Sequence, residues 1–312
     1  MASSGPEMRY VMVEHAGRER PGVLEGDSVL LLSATDLTAV ISGETAVGVE
    51  RIPYREEILR PPLRRFRRDI LCTGWNYWDH FEESKGKRDG QDVDRPEHPA
   101  FFTKGPDVVI GPYDDIAWDP DISAKWDYEA ELALVIGKTG RNIPASEALD
   151  HVWGYTLAND VSQRDLQRAH GGQWLKGKSI DKTMPLGPWI VTADELGDPQ
   201  DVQLQCVVNG EVRQDASTRQ MAFDIATLIS ELSFGMTLRP GDLLLTGTPA
   251  GIGNAREPQV FLQEGDVVVT RADKIGELRN KVARGVNERS EFTIKHRVAF
   301  RSSAPGAKRG RG

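Results

Sequence analysis

The apolar residues of this chain come in short runs cut by Gly, Pro and Asp, and that spacing limits what it can fold into. The runs at 108–110, 132–136, 189–192, 202–208, 243–246 and 267–270 have strand length, and most are rich in Val, Ile or Leu. One helix stands out: after Asp224, an N-cap residue type, Ile225, Leu228, Ile229, Leu232 and Met236 recur at helical spacing, and Pro240-Gly241 closes the following turn. These patterns predict an α+β chain that is mostly β, with the helix packed on a sheet.

A chain of 312 residues, 39 % hydrophobic, can bury one large core or a catalytic domain with a small appendage. Residues 9–32 read as short strands joined by Gly/Asp turns, so 1–62 are expected to form a small N-terminal accessory domain. The run Arg60-Pro-Pro-Leu-Arg-Arg-Phe-Arg-Arg68 reads as a solvated linker into a catalytic domain at 66–285, and 290–312 as a disordered basic tail. Residues 82–99, dense in charge, Gly and Pro, read as a mobile surface segment covering a site.

A net charge of −8 argues against nucleic acid as the main partner and leaves small molecules. Cys72 and Cys206 are too few for a disulfide scaffold or a cysteine-rich zinc site. No apolar run is long enough to span a bilayer and the first residues do not resemble a signal peptide, so no membrane partner and a cytoplasmic location are expected.

Glu129 and Glu131 open the strand-like segment 127–137, and a period of two puts both carboxylates on one face. Like charges at the mouth of an apolar strand need a cation or a proton. Asp160, ending the apolar segment 155–160, adds a third oxygen ligand, a set that suits Mg²⁺ or Mn²⁺, with Ca²⁺ as a further option, better than zinc. The competing reading is a solvated acidic face with an Asn-Asp turn.

His80 and Glu83, three apart, share a face if helical, and a carboxylate beside an imidazole fixes its tautomer and raises its basicity. The alternative is an ordinary surface pair, against which stands the aromatic density of Trp75, Tyr77 and Trp78. Arg164, Gln167 and Lys178 are suitable donors for a substrate carboxylate or a developing oxyanion, or else ordinary surface residues. The turn 245–253 fails the tests for a nucleotide loop and reads as a backbone cradle for a small substrate at Gly247, with Thr248 as hydroxyl donor.

Taken in order, Gly74-Trp-Asn-Tyr-Trp-Asp-His80-Phe-Glu-Glu83, Tyr128-Glu-Ala-Glu131, Ala158-Asn-Asp160-Val-Ser-Gln-Arg164-Asp-Leu-Gln167, Lys178-Ser-Ile-Asp181, Pro185-Leu-Gly-Pro188 and Thr246-Gly-Thr-Pro-Ala-Gly-Ile-Gly253 resemble the fumarylacetoacetate hydrolase family over about 70–282. The resemblance is to its acylpyruvase and 2-hydroxyhepta-2,4-diene-1,7-dioate isomerase-like branch. It implies a mixed β-sandwich roll with a small N-terminal domain, a homodimer, and a metal at Glu129, Glu131 and Asp160. It also implies a His80–Glu83 dyad on a segment that orders over substrate, with Gln167, Lys178 and Thr248 contacting it. Tyr77, beside the dyad, is expected at the substrate as well. The activity expected is hydrolysis of the C–C bond of a 2,4-dioxo acid to pyruvate and a carboxylic acid. Oxaloacetate decarboxylation or 2-oxo acid isomerisation is the alternative, and a silent ligand-binding protein a third. The charged 84–99 segment, Trp75 and Trp78 depart from compact relatives near the expected lid, and so bear on the substrate.

Overall fold

A computed structural model describes residues 8–87 and 93–285. The expected basic tail at 290–312 and part of the 82–99 segment lie outside the described residues. At the centre is the Ala130–Ile136 strand, buried at every position and paired antiparallel with Val152–Asn159 on one side and Leu243–Leu245 on the other. Leu132, Leu134 and Ile136 face one core, Ala133 and Val135 another. A strand covered on both faces has no solvated side to mark with polar residues, hence the unbroken apolar run over 132–136.

The large sheet runs in spatial order Gly48–Pro53, Ser28–Leu32, Arg18–Glu25, Arg9–His15, Met184–Thr192, Val152–Asn159, Ala130–Ile136, Leu243–Leu245, Ile70–Gly74, Ala100–Lys104. A second, five-stranded sheet contains Gln203–Val208, Val267–Ala272 and Gly276–Arg284. Leu204, Cys206, Val268 and Leu278 of this sheet share a core with Leu132, Leu134 and Leu157 of the first. The fold is thus α+β and mostly β, as the sequence predicts.

The expected helix is present at Ile225–Ser233, with Asp224 Oδ1 accepting the Thr227 N–H at 2.7 Å. Such a cap contributes about 1 kcal/mol. Ile225, Leu228, Ile229 and Leu232 go into the core, and Met236 packs against it from beyond the helix end.

At the N-terminal end, Arg9 and Tyr10 pair with Val191 and Ile190, so the large sheet continues from the first strands into the centre without a break. Those strands also hold their own small core, with Val11, Val13, Leu24, Val29, Leu31, Ile52 and Leu59. The basic run at 60–68 departs from a solvated linker. Arg67 and Arg68 reach Asp242 at 3.1 and 3.4 Å, and Arg68 also donates to Thr237 O at 2.7 Å. Asp242 is 3 % exposed, and a carboxylate so buried requires a cation. No helix among the described residues is long and apolar enough to cross a membrane.

Candidate active site and metal centre

Strand register assembles the acidic cluster. Ala130 pairs with Asn159 and Glu131 with Ala158, so residues 129, 131, 158 and 160 share one face. The ladder extends one step past the strand, where the Asp160 N–H donates to Glu129 O at 2.8 Å. Each of the buried residues Glu129, Glu131 and Asp160 offers a carboxylate oxygen, and the three atoms lie within 4.8 Å of one another.

Cations answer most of this charge. Lys178 Nζ bridges Glu129 Oε2 and Asp160 Oδ2 at 2.7 Å each, Arg164 Nη1 meets Glu129 Oε1 at 2.7 Å, and Lys104, fully buried, pairs with Asp160 Oδ1. Arg164 Nε also meets Asp127 Oδ2 at 2.9 Å. Glu131 instead accepts a backbone N–H, that of Gly247, at 2.6 Å. Burial, then Asp160 and Glu129, push its carboxyl well above the usual range. Burial pushes Glu129 the same way, but Lys178 and Arg164, with His80, outweigh it and hold that carboxyl well below. Four buried carboxyl groups thus meet three cations among the described residues, and Glu131, the one left without a cation, needs a proton or a metal ion inside this all-oxygen donor set. That chemistry fits a hard divalent ion.

The Trp78–Glu83 helix supplies the dyad. Asn76, buried just before it, donates through Nδ2 to Thr246 O at 2.8 Å and Phe223 O at 3.1 Å, fixing the helix start against the 246–248 turn. His80 Nδ1 lies 2.9 Å from Glu83 Oε1, and Glu83 Oε2 accepts the Gly251 N–H at 2.8 Å. An Nδ1–H donated to Glu83 leaves Nε2 as the basic nitrogen of a ring that lines the cavity.

Gln167 and Arg164 come from the Arg164–Ala169 helix and Lys178 from Leu175–Lys178. The two helices touch at Gly177, where a Cβ would stand 2.1 Å from Gln167 N, so only glycine permits the approach. His80, Glu129, Glu131, Arg164, Gln167, Lys178 and Thr248 all line one cavity. Asp160 lies beneath it, bonded to Lys178.

Two expected substrate contacts are placed otherwise. Gly247 spends its N–H on Glu131, and Tyr77 is packed behind the cavity at 2 % exposure, its ionisation suppressed by burial and by Glu131. Thr248 does line the cavity, but its hydroxyl donates to Ala130 O at 2.9 Å. Gly247 and Thr248 thus support the carboxylate-bearing strand, which draws their donors inward, whereas the buried Tyr77 hydroxyl has no hydrogen-bond partner among the described residues.

Sequence reasoning missed Lys104, Asp127 and Asn254. Lys104 shares the parity of Phe102 on the Ala100–Lys104 strand, and a lone charge at the buried end of such a strand is the signal that could have found it. Phe102 and Trp75 pack on Trp174 with ring centroids 5.2 and 4.9 Å away, forming an aromatic wall of the cavity.

The sequence matches the fumarylacetoacetate (FAA) hydrolase C-terminal family over residues 69–283. The chain belongs to the fumarylacetoacetate hydrolase family. It is 42 % identical over 249 residues to the mitochondrial oxaloacetate tautomerase Fahd2a of Rattus norvegicus, covering 77 % of either chain. It is 43 % identical over 224 residues to the oxaloacetate tautomerase YisK of Bacillus subtilis, covering 72 % of each. The crystal structure of 2-hydroxyhepta-2,4-diene-1,7-dioate isomerase from Mycobacterium marinum superposes with a TM-score of 0.73 at 31 % identity, over 90 % of this chain and all (100 %) of that one.

Proposed function

We propose that this protein is a divalent-metal-dependent enzyme of 2-oxo acids that moves a proton at the carbon beside the oxo group, with keto–enol tautomerisation of oxaloacetate as its reaction. The observation that carries the reading is the oriented His80 on the rim of a buried carboxylate triad, 2.9 Å from Glu83 and lining the same cavity. Two relatives named as oxaloacetate tautomerases support the substrate.

Glu129, Glu131 and Asp160 would hold Mg²⁺ or Mn²⁺, which when bound supplies Lewis-acid chemistry to the substrate's oxo oxygen. His80 Nε2 takes a proton from the methylene carbon and returns one to oxygen, so the reaction consumes nothing. Glu83 keeps the ring in the acting tautomer and stabilises its charged form. Lys178 draws Glu129 and Asp160 together and brings positive charge to the cavity wall. Gln167 turns Oε1 to Arg164 Nη1 at 3.2 Å, which makes its amide nitrogen the end available to substrate.

A second reading, hydrolysis of an acylpyruvate to pyruvate and a carboxylic acid, is favoured by the presence of Lys178 and Gln167 donors on the same cavity as His80, the pairing that water attack and an oxyanion require. Ultraviolet decay of enol-oxaloacetate, followed with Mg²⁺ or Mn²⁺ alongside pyruvate and CO₂ release, separates the reactions. Catalysed enol decay without CO₂ supports the tautomerase. Pyruvate from an acylpyruvate with no effect on enol decay would replace it with the hydrolase, and CO₂ with a decarboxylase. A homodimer and a reducing compartment, in keeping with the free, buried Cys72 and Cys206, complete the reading.

A further inference from the structure

Asn254 and Arg164 line the cavity and share one anchor. Asp127 Oδ2 accepts both Arg164 Nε and the Asn254 backbone N–H, each at 2.9 Å. Asp127 Oδ1 also takes the Gly253 N–H at 2.7 Å, and a Cβ at Gly253 would stand 2.9 Å from that oxygen, so the loop is drawn tight onto the carboxylate. Asn254 is 1 % exposed and Arg164 4 %. Each nevertheless carries a nitrogen, Asn254 Nδ2 and Arg164 Nη2, with no hydrogen-bond partner among the described residues.

The orientation of the Asn254 amide is set by its neighbour: Gln259 Nε2 donates to Asn254 O at 2.8 Å and to Asn254 Oδ1 at 3.1 Å, so the nitrogen is the unused end. Leaving a buried donor unmade costs about 1–3 kcal/mol, and native proteins retain few such groups without a use. Two of them, fastened to the same oxygen at the wall of the same cavity, form a preorganised anion acceptor.

Resting on the reading of the site as one for 2-oxo acids, we propose that Asn254 Nδ2 and Arg164 Nη2 form a subsite for a second carboxylate of the substrate. The enzyme is then selective for dicarboxylic over monocarboxylic 2-oxo acids, and Asn254 is a specificity-determining residue. Oxaloacetate and pyruvate form the matched pair of probes, because they differ by that carboxylate alone.

Calorimetric titration of the Mg²⁺-loaded protein with each acid, in wild type, Asn254→Ala and Asn254→Asp, tests the subsite without needing turnover. Hydrogen bonds to a charged group lead us to expect oxaloacetate binding to weaken by roughly 10- to 100-fold in Asn254→Ala, and by more in Asn254→Asp, where like charges face each other. Pyruvate binding should be unchanged in both. The Asp variant preserves side-chain shape, which guards against a misfolded Ala variant. Equal affinity of wild type for the two acids, or a parallel loss of both in the variants, would overturn the subsite. A wild type that binds oxaloacetate more tightly than pyruvate yet does not speed enol decay would leave the subsite standing and sink the tautomerase reading instead.

Discussion

Glu83 accepts the backbone N–H of Gly251 at 2.8 Å, a bond that spans 168 residues of chain. Its other oxygen holds His80. The group that orients His80, the proposed base, is therefore itself oriented by the loop that carries Asn254, and Lys87 strengthens the connection by donating to Ala255 O on the same loop.

The dyad predicts separable losses. His80→Ala should lower turnover by about 10²–10⁴-fold, the usual contribution of a positioned acid–base group, while Mn²⁺ binding measured by electron paramagnetic resonance stays intact. Glu83→Gln keeps the Gly251 contact but weakens the hold on the imidazole, so its loss should be smaller. A His80→Ala enzyme with wild-type turnover would remove His80 from the chemistry.

Glu131 is the one carboxyl of the triad without a cation partner among the described residues, and so the one a bound divalent ion would answer most directly. Removing partners one shell further out commonly costs 10–100-fold in metal affinity, so Glu131→Gln, which removes a ligand, should weaken Mn²⁺ binding by about 100-fold or more. Chelator should abolish activity and lower the melting temperature of wild type; metal at 100 times its Kd contributes about 2.7 kcal/mol. An unchanged melting curve in Glu131→Gln with and without metal is the expected control.

Lys104 is fully buried against Asp160. Truncating one partner of such a pair costs about 3–5 kcal/mol because the other charge is left stranded. Lys104→Met should therefore unfold at lower urea. The deficit should shrink when Mn²⁺ is present, since the ion compensates Asp160; an equal deficit with and without the ion would show that Lys104 serves packing alone.

Gly177→Ala would put a methyl group 2.1 Å from Gln167 N and 2.3 Å from Gln167 Cα. The helices bearing Lys178 and Gln167 would have to part, at about 1–3 kcal/mol for overpacking. A fall in both melting temperature and turnover is expected. A neutral substitution would mean that the helices separate freely.

The sequence made the Glu129–Glu131 pair legible because its two members are local: a period of two needs no knowledge of the partner strand. The central strand was legible through its apolar run. The Met184–Thr192 strand was seen only from 189 onward, since Pro185, Gly187 and Pro188 imitate a turn. The Gly276–Arg284 strand was hidden because Glu277, Arg279 and Lys281 alternate with the core residues Leu278 and Val282 and dilute their signal. Lys104, Asp127 and Asn254 were invisible for a different reason: the partners that tie them to the site, Asp160, Arg164 and Asp127, lie 37 or more residues away, and which buried group meets which is decided by tertiary pairing, not by spacing.

The parallel pairing of Ile70–Gly74 with Leu243–Leu245 carries a kinetic consequence. It brings the strand leading into the His80 helix beside the one leading into the 246–253 turn, two stretches that meet only after most of the chain between them is in place. Non-local contacts of this kind form slowly. During refolding, fluorescence and secondary structure should therefore recover ahead of catalysis, and turnover should return in step with the last stretch of native sheet.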